Sequence, residues 1–174
     1  EKMEYSYKFR IYPTKPQEEL IQKTFGCCRF VYNHFLAQRI DIYTKEGKNT
    51  DRFTQSRELT TLKKEIDWLR EPDKSALENA IKDLDIAYKN FFRAKNSGRN
   101  CGFPRFKSKK RNRKKYRTNF SNGNIKALDN SVQLPKLGLV KCRVSKEVKG
   151  RILSATVSQN PSGKYFVALC CTDV

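Results

Sequence analysis

The chain has 174 residues and a formal net charge of +19, because 37 Lys and Arg outnumber 18 Asp and Glu. This length allows one or two small domains, and 37% hydrophobic with 32% charged residues predicts a compact fold with an ionic surface. So much charge of one sign favours a polyanionic partner, first nucleic acid and then an anionic membrane. No apolar run approaches the roughly 20 residues that span a bilayer, and no signal-peptide pattern opens the chain. Glu1 and Lys2, ahead of Met3, are interpreted as a cloning remnant before a natural start.

The six cysteines do not have the spacing of a metal site. Cys27-Cys28 and Cys170-Cys171 are adjacent pairs, no C-x-x-C occurs, and His34 is the one histidine. We expect reduced thiols that serve as small apolar residues, and no bound metal.

The first half of the chain predicts one strand and three helices. Residues 5–12 alternate in hydrophobicity, which indicates a half-buried strand. Thr14 and Gln17 then form a capping box that should start a long helix, and Gly47 should end it. A second helix is predicted from Thr54 to Trp68, with Trp68 as a core anchor.

A third helix is predicted from near Asp73 through Phe92, where apolar residues recur at helical spacing. Three amphipathic helices cannot bury their faces alone, so we expect them to pack as a small bundle. The helical period ends near Gly102. The remaining strand candidates are residues 116–120, 132–134, 139–144, 152–158 and 164–170.

Short strands separated by Gly and Pro turns predict a small β-barrel or sandwich, with a hairpin at residues 160–163. The opening strand should belong to it, which makes the helical bundle an insertion and the fold class α+β. The balance of basic and acidic residues also changes near residue 102. Residues 1–102 carry a net charge of +5, whereas residues 103–174 carry 17 Lys and Arg against Asp129, Glu147 and Asp173.

The strongest local signal is the basic run Lys107–Arg117, within a stretch, residues 105–117, that has nine Lys or Arg in thirteen positions; Phe103, Phe106 and Tyr116 flank the charge. Such a run is often a solvated linker. Here the combination of cations with aromatic residues favours nucleic-acid binding instead. Cations can follow the phosphates of a strand, and aromatic rings can stack on bases or dock the segment.

Catalysis by this chain is not predicted. Two-metal chemistry needs convergent carboxylates, and acids such as Glu65, Asp67 and Glu71 fall on predicted exposed helical faces. The chain has no phosphate-binding loop and no nucleophile motif. His34 is more simply structural, and Ser121 and Asn122 are typical turn residues.

Several segments in order resemble the TnpB (OrfB-type) proteins of transposons. The matching segments are residues 7–14 with Gln17, and residues 24–33, 87–92, 102–107, 116–118, 134–138 and 161–165.

The resemblance implies an RNA-guided DNA endonuclease related to the ancestors of type V CRISPR effectors. It implies an oligonucleotide-binding-like barrel, the wedge domain, from residues 1–15 and 103–174, and an inserted helical recognition domain from residues 16–102. The RuvC-like nuclease core, with its acids and Mg²⁺, would begin near Asp173. We therefore expect this chain to bind without cutting, with no catalytic residue and no cofactor of its own.

The resemblance also implies partners: a guide RNA and double-stranded target DNA in the bacterial cytoplasm, nucleoid-associated when bound. No membrane partner is expected, and the chain is expected to be monomeric. The residues that would read a short DNA motif are Arg52, Ser56, Lys74, Glu78, Ser121 and Asn122. The residues that would bind RNA or phosphate are Tyr5, Lys8, Arg10, Arg105, Lys107, Lys109, Lys110, Arg111, Arg113, Lys114, Lys115 and Arg117.

Two alternatives fit the same residues. One is a nuclease-free DNA-binding regulator derived from the same family, with or without a guide RNA. The other is a general RNA-binding or ribosome-associated protein, since basic charge and a small barrel would suit it. The polar residues at the starts of the inserted helices favour a DNA-reading protein over a general RNA-binding protein, because a pure RNA binder does not need such residues.

Overall fold

The computed structural model describes residues 3–99 and 101–173, so the interpretation of Glu1 and Lys2 lies outside the described residues. The chain divides into two compact units. We call Glu1–Phe25 with Arg113–Val174 the sheet unit, and Gly26–Asn112 the helical unit.

The fold is mixed α and β, with seven strands in one antiparallel sheet. The strands are β1 (Tyr5–Tyr12), β2 (Lys114–Asn119), β3 (Lys126–Ala127), β4 (Ser131–Leu134), β5 (Gly138–Cys142), β6 (Arg151–Gln159) and β7 (Tyr165–Thr172). Their order is β2-β6-β7-β1-β5-β4-β3. No pairing between described residues joins β2 to β3, so the sheet is open and the predicted closed barrel is not confirmed.

The opening strand and the helix start agree with their predictions. In β1, Tyr7, Phe9 and Ile11 are buried and the residues between them are exposed. Thr14 and Gln17 form the reciprocal capping box: the Thr14 amide donates to Gln17 Oε1 at 2.9 Å, and the Gln17 amide to Thr14 Oγ1 at 3.4 Å.

The helices are α1 (Lys15–Glu46), α2 (Arg52–Glu65) and α3 (Lys74–Asn96). Gly47 follows α1 with a φ of +64°, and its amide donates to the Tyr43 carbonyl, as a helix stop requires. The first turns of α1 cover the inner face of the sheet, where the Phe25 and Tyr116 rings lie 5.8 Å apart. Gln22 Nε2 adds hydrogen bonds to Gln159 Oε1 at 2.7 Å and the Tyr165 hydroxyl at 2.9 Å.

The predicted end of the second helix is wrong. The helix stops at Glu65 because Ile66 is extended, and a short 3-10 helix, Asp67–Arg70, follows. That turn buries Leu69 and leaves Trp68 46% exposed, with its ring 4.9 Å from that of Phe30. Trp68 is therefore not a core anchor.

The helices of the helical unit share one hydrophobic cluster. Its buried members include Val31, Phe35, Leu36, Leu59, Leu69, Leu77, Ile81 and Leu84. The clustering agrees with mutual burial of the amphipathic faces, while a regular three-helix bundle stays a prediction. No helix among the described residues is long and apolar enough to cross a bilayer.

The later strands follow their predictions to within a few residues, except the two-residue β3, which periodicity does not reveal. The hairpin between β6 and β7 is confirmed. The Gly163 amide donates to the Asn160 carbonyl at 3.0 Å, and Gly163 has a φ of +89°.

Candidate nucleic-acid interface

One face of the sheet carries cations in register. Lys8 and Arg10 of β1 are exposed because they alternate with buried Phe9 and Ile11. Lys115 and Arg117 alternate in the same way with buried residues of β2. We call this side of β2, β6, β7 and β1 the outer face. Its members are Lys115, Arg117, Asn119, Ser154, Thr156, Ser158, Phe166, Ala168, Cys170, Ser6, Lys8, Arg10 and Tyr12, whose ring lies 4.9 Å from the Arg10 guanidinium.

The strand pairing aligns the outer face into two rows that begin and end in a cation. The first row runs Lys115, Ser158, Phe166, Arg10, and the second runs Arg117, Thr156, Ala168, Lys8. Neighbouring strands lie about 4.8 Å apart, so the cationic backbone positions of each row are separated by about 14 Å. Each row therefore has a cation on either side of two uncharged residues.

The outer face is acid-poor but not acid-free. Glu4 lies at its corner, where its carboxylate accepts from the Cys170 thiol at 3.7 Å. Burial and this carboxylate together raise the pKa of Cys170, which keeps the thiol neutral. Tyr5 is half exposed, but it lies on the side of Tyr7, with the two rings 5.0 Å apart. Tyr5 is therefore separated from the two β1 cations with which it was predicted to act.

The middle of the basic run forms an ordered turn, residues 108–112, which we call the basic turn. The Ser108 amide donates to Asn112 Oδ1 at 2.8 Å, and the Asn112 amide returns to the Ser108 carbonyl at 3.2 Å. Ser108 Oγ also accepts from the Arg111 amide at 3.2 Å. Lys109, Lys110 and Arg111 are thereby presented on an exposed, hydrogen-bonded tip rather than on a solvated linker.

Asn33 of α1 holds the basic turn at its base. Its Nδ2 donates to the Lys107 carbonyl at 2.9 Å, and its Oδ1 accepts from the Lys107 amide at 2.7 Å. The Lys107 amine lies 4.2 Å from the centroid of the Tyr32 ring. Lys107 is thus half-buried and anchors the segment, unlike the exposed cations that follow it.

The aromatic residues beside the basic run have different positions. Phe103 docks on α3, with its ring 5.4 Å from that of Tyr88 and 5.2 Å from that of Phe91. Tyr116 is buried in the sheet core, whereas Phe106 is 51% exposed. Phe103 also stays 39% exposed, so Phe106 and Phe103 are both partly open to solvent while Tyr116 is not.

The remaining cations of residues 105–117 are divided between the two units. Arg105 is exposed ahead of the basic turn in the helical unit, and Arg113 is exposed just before β2 in the sheet unit. Lys114 opens β2 on the side of buried Tyr116, so it is not part of the outer face. The stretch is therefore divided by the unit boundary, with residues 105–112 in the helical unit and residues 113–117 in the sheet unit.

The predicted DNA-reading residues of the helical unit lie at two helix starts. Arg52 opens α2, with its guanidinium 4.8 Å from the Phe53 ring, and Ser56 lies one turn later. Lys74 opens α3 and pairs with Glu78 one turn later, at 3.8 Å between Nζ and Oε1. Among the described residues, no hydrogen bond or ion pair joins the α2 pair to the α3 pair.

Aspartate is the N-cap residue at both helix starts, but the Asp51 side chain caps α2 whereas the Asp73 side chain makes no capping hydrogen bond to α3. Asp51 Oδ1 accepts from the Thr54 amide at 2.8 Å, and this backbone hydrogen bond lowers the pKa of Asp51. Asp73 Oδ2 accepts from the Ser75 hydroxyl at 2.7 Å. Lys74 is exposed beside its cap, whereas Arg52 is half-buried, with its guanidinium over the Phe53 ring.

Ser121 and Asn122 belong to a tight turn in the sheet unit. Asn122 and Gly123 both have positive φ, +50° and +69°, as in a type I′ turn. Asn124 fixes the turn by accepting from the Ser121 amide at 2.8 Å and donating to the Asn119 carbonyl at 3.2 Å. The exposed Ser121 and Asn122 side chains are therefore supported by a rigid backbone.

A buried polar cluster fixes α2 and α3 against α1. Arg39 Nη2 pairs with Asp85 Oδ1 at 2.8 Å, with 5% of each side chain exposed, and Arg39 Nε donates to Gln55 Oε1 at 3.0 Å. Gln55 Nε2 continues to the Phe35 carbonyl at 3.1 Å. Burial alone would raise the pKa of Asp85, but hydrogen bonds and charge from Arg39 and Lys89 outweigh it and lower that pKa.

Comparison with known proteins shows which family the chain resembles. The Helix-turn-helix domain of the OrfB IS605 family matches residues 3–48. InsQ of Escherichia coli K12, provisionally named an RNA-guided DNA endonuclease, is 33% identical over 94% of this chain and 39% of its own length. A protein of Streptomyces pristinaespiralis with the same provisional name is 31% identical over 97% of this chain and 41% of its own length. Virulence protein VsdF of Salmonella dublin is 33% identical over 59% of this chain and 91% of its own length.

The chain belongs to the TnpB (OrfB-type) family. It spans about two fifths of the length of the two endonuclease-named relatives. The name of the family domain describes a helix-turn-helix, yet residues 3–48 form β1 followed by the continuous helix α1. Any DNA contact by this TnpB-family chain must therefore be argued from its own surface.

The possible metal-ligating side chains of the described residues are not grouped in threes. Mg²⁺ takes carboxylate and other oxygen ligands, and no group of three His, Cys, Asp or Glu side chains comes together within residues 3–99 and 101–173. The thiols serve other purposes: Cys27, Cys142 and Cys171 are core residues, and burial beside Cys27 raises the pKa of Cys28 to about 12. We derive no catalytic step from these residues.

Sequence reasoning missed three structurally important residues, two on or near the candidate interface and one in the buried cluster of the helical unit. Asn33 was noted only as part of a family segment, and its partner Lys107 is 74 positions away. Arg39 gave no signal, since an arginine in a helix is ordinarily exposed. Phe166 could have been found from the alternation of β7, because a phenylalanine opposite Arg10 on the polar side of a strand breaks the pattern.

Proposed function

We infer that this chain is the nucleic-acid-binding part of an RNA-guided DNA endonuclease, and that it holds guide RNA and reads a short duplex motif beside the target. The observation that carries this proposal is the grouping of exposed cations on two ordered supports. Lys8, Arg10 and Lys115 lie on the outer face, and Lys109 and Lys110 lie on the basic turn.

Cations whose spacing is fixed before binding favour a polyanion of matching spacing over polyanions in general. A strand register and a hydrogen-bonded turn fix the spacing of the charges before binding, so less side-chain and backbone freedom is lost on association. The names of InsQ and of the Streptomyces relative support RNA as the guide in such a complex. The sheet unit would then act as the wedge domain and the helical unit as the recognition domain.

Motif reading is assigned to the polar residues at the helix starts and the Asn-Gly turn: Arg52, Ser56, Lys74, Glu78, Ser121 and Asn122. Arginine and lysine donate to guanine edges in the major groove, serine and asparagine hydrogen-bond several edges, and glutamate accepts from cytosine. Their positions at helix starts and on a rigid turn support this assignment, because a base-reading side chain needs a fixed origin.

Cleavage is assigned to no residue of this chain. The absence of a grouped set of carboxylates within residues 3–99 and 101–173 supports binding without cutting. Incubation of the chain with guide RNA, matching target DNA and Mg²⁺ should leave the DNA intact. Metal-dependent cleavage that one carboxylate substitution abolishes would contradict this part of the proposal.

The central test compares three probes across a salt series: RNA transcribed from the end of the chain's own element, a shuffled RNA of equal length, and duplex DNA. Phosphate contacts alone predict affinities that fall together as salt rises. We expect the element RNA to keep an advantage of about tenfold at high salt. Equal affinities at every salt concentration would mean that the chain is a basic protein that binds nucleic acids in general.

Motif reading is tested with the guide RNA bound, by selecting duplexes that carry a randomised short segment beside the target. Arg52→Ala and Asn122→Ala should each relax the preference at one position, with a cost of about 1–3 kcal/mol for the preferred base. A preference that neither substitution alters would remove these residues from the proposed reader.

A further inference from the structure

The outer face has an aromatic residue at its centre. Phe166 belongs to the polar side of β7, between buried Tyr165 and Val167, and it is half-buried rather than covered. Its cross-strand neighbours are Arg10 on β1 and Ser158 on β6. A phenylalanine in this position is not needed for the core, because the core side of β7 is already filled.

The surroundings of Phe166 combine a ring with cations and small side chains. The Lys8 amine lies 4.9 Å from the ring centroid. Two neighbours of Phe166 on the outer face are small: Ala168, two positions along β7, and Ser158, opposite Phe166 on β6. A cation over an exposed ring is held weakly, and the lysine stem is flexible. Lys8 can therefore exchange the ring for a phosphate when a flat ligand arrives.

The chemistry favours an unpaired nucleotide over a duplex. An aromatic side chain stacks on a base whose face is free, and bases within a duplex are already stacked on both sides. A base on Phe166 would have cations at both ends of its row, Arg10 and Lys115, for the adjoining phosphates. One single strand could therefore place a base on Phe166 and its two adjoining phosphates near Arg10 and Lys115.

The column next to Phe166 favours RNA over DNA. β6 presents Ser154, Thr156 and Ser158 on the outer face, two residues apart, which places hydroxyls about 7 Å from one another. Each hydroxyl donates and accepts, as does the 2′-hydroxyl of ribose, which DNA lacks. Glu4 at the opposite corner, beside Cys170, repels phosphate and so defines where the strand leaves the face.

We propose that the outer face is a platform for an unpaired segment of RNA, on which Phe166 stacks one base between the cations of β1 and β2. The inference deepens the proposed function and rests on it for the identity of the RNA-binding chain. Phe166 adds a base contact to a surface whose other contacts are to phosphate and ribose.

The test uses the 174-residue chain and the variant Phe166→Leu, which keeps an apolar side chain but removes the ring. Phe166→Tyr, which keeps the ring, is the conservative comparison. Phe120→Leu is the matched control, because Phe120 is 38% exposed in the same unit but lies beyond the end of β2. The probes are a short unstructured RNA, the same RNA in a duplex, and single-stranded DNA of the same sequence.

Phe166→Leu should weaken binding of the unstructured RNA about tenfold and leave the slope of log affinity against log salt unchanged, since no charge is removed. Binding of the duplex should change less than about twofold, and Phe166→Tyr and Phe120→Leu should behave as the unaltered chain. An equal loss for the duplex, or no loss for the single strand, would overturn the platform. Single-stranded DNA that binds as tightly as RNA would overturn the assignment to RNA.

Failure of the platform can be distinguished from failure of the proposed function. If Phe166→Leu has no effect while the unaltered chain still prefers its element RNA at high salt, the platform is wrong and the proposed function stands. If the unaltered chain shows no preference among RNAs, the proposed function itself fails.

Discussion

The two units present their cations by different physical means. In the sheet unit, backbone pairing sets the spacing of Lys8, Arg10, Lys115 and Arg117, since each occupies a place in a continuous ladder. In the helical unit, side-chain hydrogen bonds shape the basic turn: Asn33 binds the Lys107 peptide at its base, and Ser108 and Asn112 close the turn itself. A ladder of backbone hydrogen bonds tolerates the loss of a side chain better than a turn that depends on side-chain hydrogen bonds.

The same difference applies to the cores of the two units. The sheet unit is held by strand pairing with apolar residues beneath it, while the helical unit contains the buried Arg39–Asp85 pair. Single polar substitutions should therefore affect the helical unit far more than the sheet unit.

The largest expected effect is that of Asp85→Asn, which leaves Arg39 buried without a counter-charge. Breaking such a pair costs about 3–5 kcal/mol of unfolding free energy. The one tryptophan, Trp68, lies in the helical unit, so its fluorescence during urea unfolding reports on that unit. Asp41→Asn is the matched control, since its pair with Lys45 is exposed and should contribute less than about 0.5 kcal/mol. Equal losses in both variants would contradict the importance of burial.

The contribution of Asp85 should depend on pH in one direction. Its pKa in the folded chain lies below the ordinary value of about 3.9. The stabilisation is therefore complete above that value and is lost as pH falls below it. The difference in unfolding free energy between the unaltered chain and Asp85→Asn should stay constant from about pH 7 to pH 5 and shrink below about pH 4. A difference that grows on acidification would show that the pair does not lower this pKa.

Removing the charges of the basic turn should have the next largest effect. Lys109→Ala, Lys110→Ala and Arg111→Ala together should lower the salt slope for single-stranded RNA by about two, and the affinity about a hundredfold at about 0.1 M salt. The same number of exposed lysines elsewhere in the helical unit, Lys45, Lys48 and Lys64, provides the control. If both triple variants lose the same affinity, the basic turn acts only through net charge.

Asn33→Ala should weaken RNA binding about tenfold, since two hydrogen bonds of about 1 kcal/mol each no longer hold the turn. The salt slope should stay unchanged because the charge is unchanged. Faster amide hydrogen exchange at residues 107–112 would locate the effect. Asn90→Ala, on an exposed position of α3, should change neither measurement.

The smallest expected effect on stability is that of Glu78→Gln. Its pair with Lys74 is exposed and one turn apart, so the unfolding free energy should change by less than about 0.5 kcal/mol. A change in the selected duplex motif without a change in stability would support a reading role for Glu78. A larger loss of stability would instead mean that the residue acts in the fold.

Much of the fold follows from local sequence signals. The alternation of β1, the Thr14–Gln17 capping box and the Gly163 hairpin each depend on residues within one turn or one strand. Sheet closure and the position of Trp68 could not be predicted in this way. The first depends on which strands meet at the edges, and the second on whether residues 67–70 continue α2 or tighten into a separate turn.

The candidate interface was predictable in composition but not in arrangement. The basic run is visible in the sequence, yet its division into the basic turn and the outer face requires the pairing of β2 with β6 and the contact between Asn33 and Lys107. The assignment of single residues to RNA or DNA stays a prediction, because it concerns partners rather than contacts within the chain.

The most direct test of the account is a lysine-reactivity footprint with and without the element RNA, using an acylating reagent and mass spectrometry. The account predicts that RNA protects the lysines of the outer face and the basic turn, namely Lys8, Lys109, Lys110 and Lys115. It also predicts that exposed lysines elsewhere stay reactive, namely Lys45, Lys48 and Lys64. Uniform protection of both sets, or protection of the second set alone, would contradict the claim that two ordered supports hold the RNA.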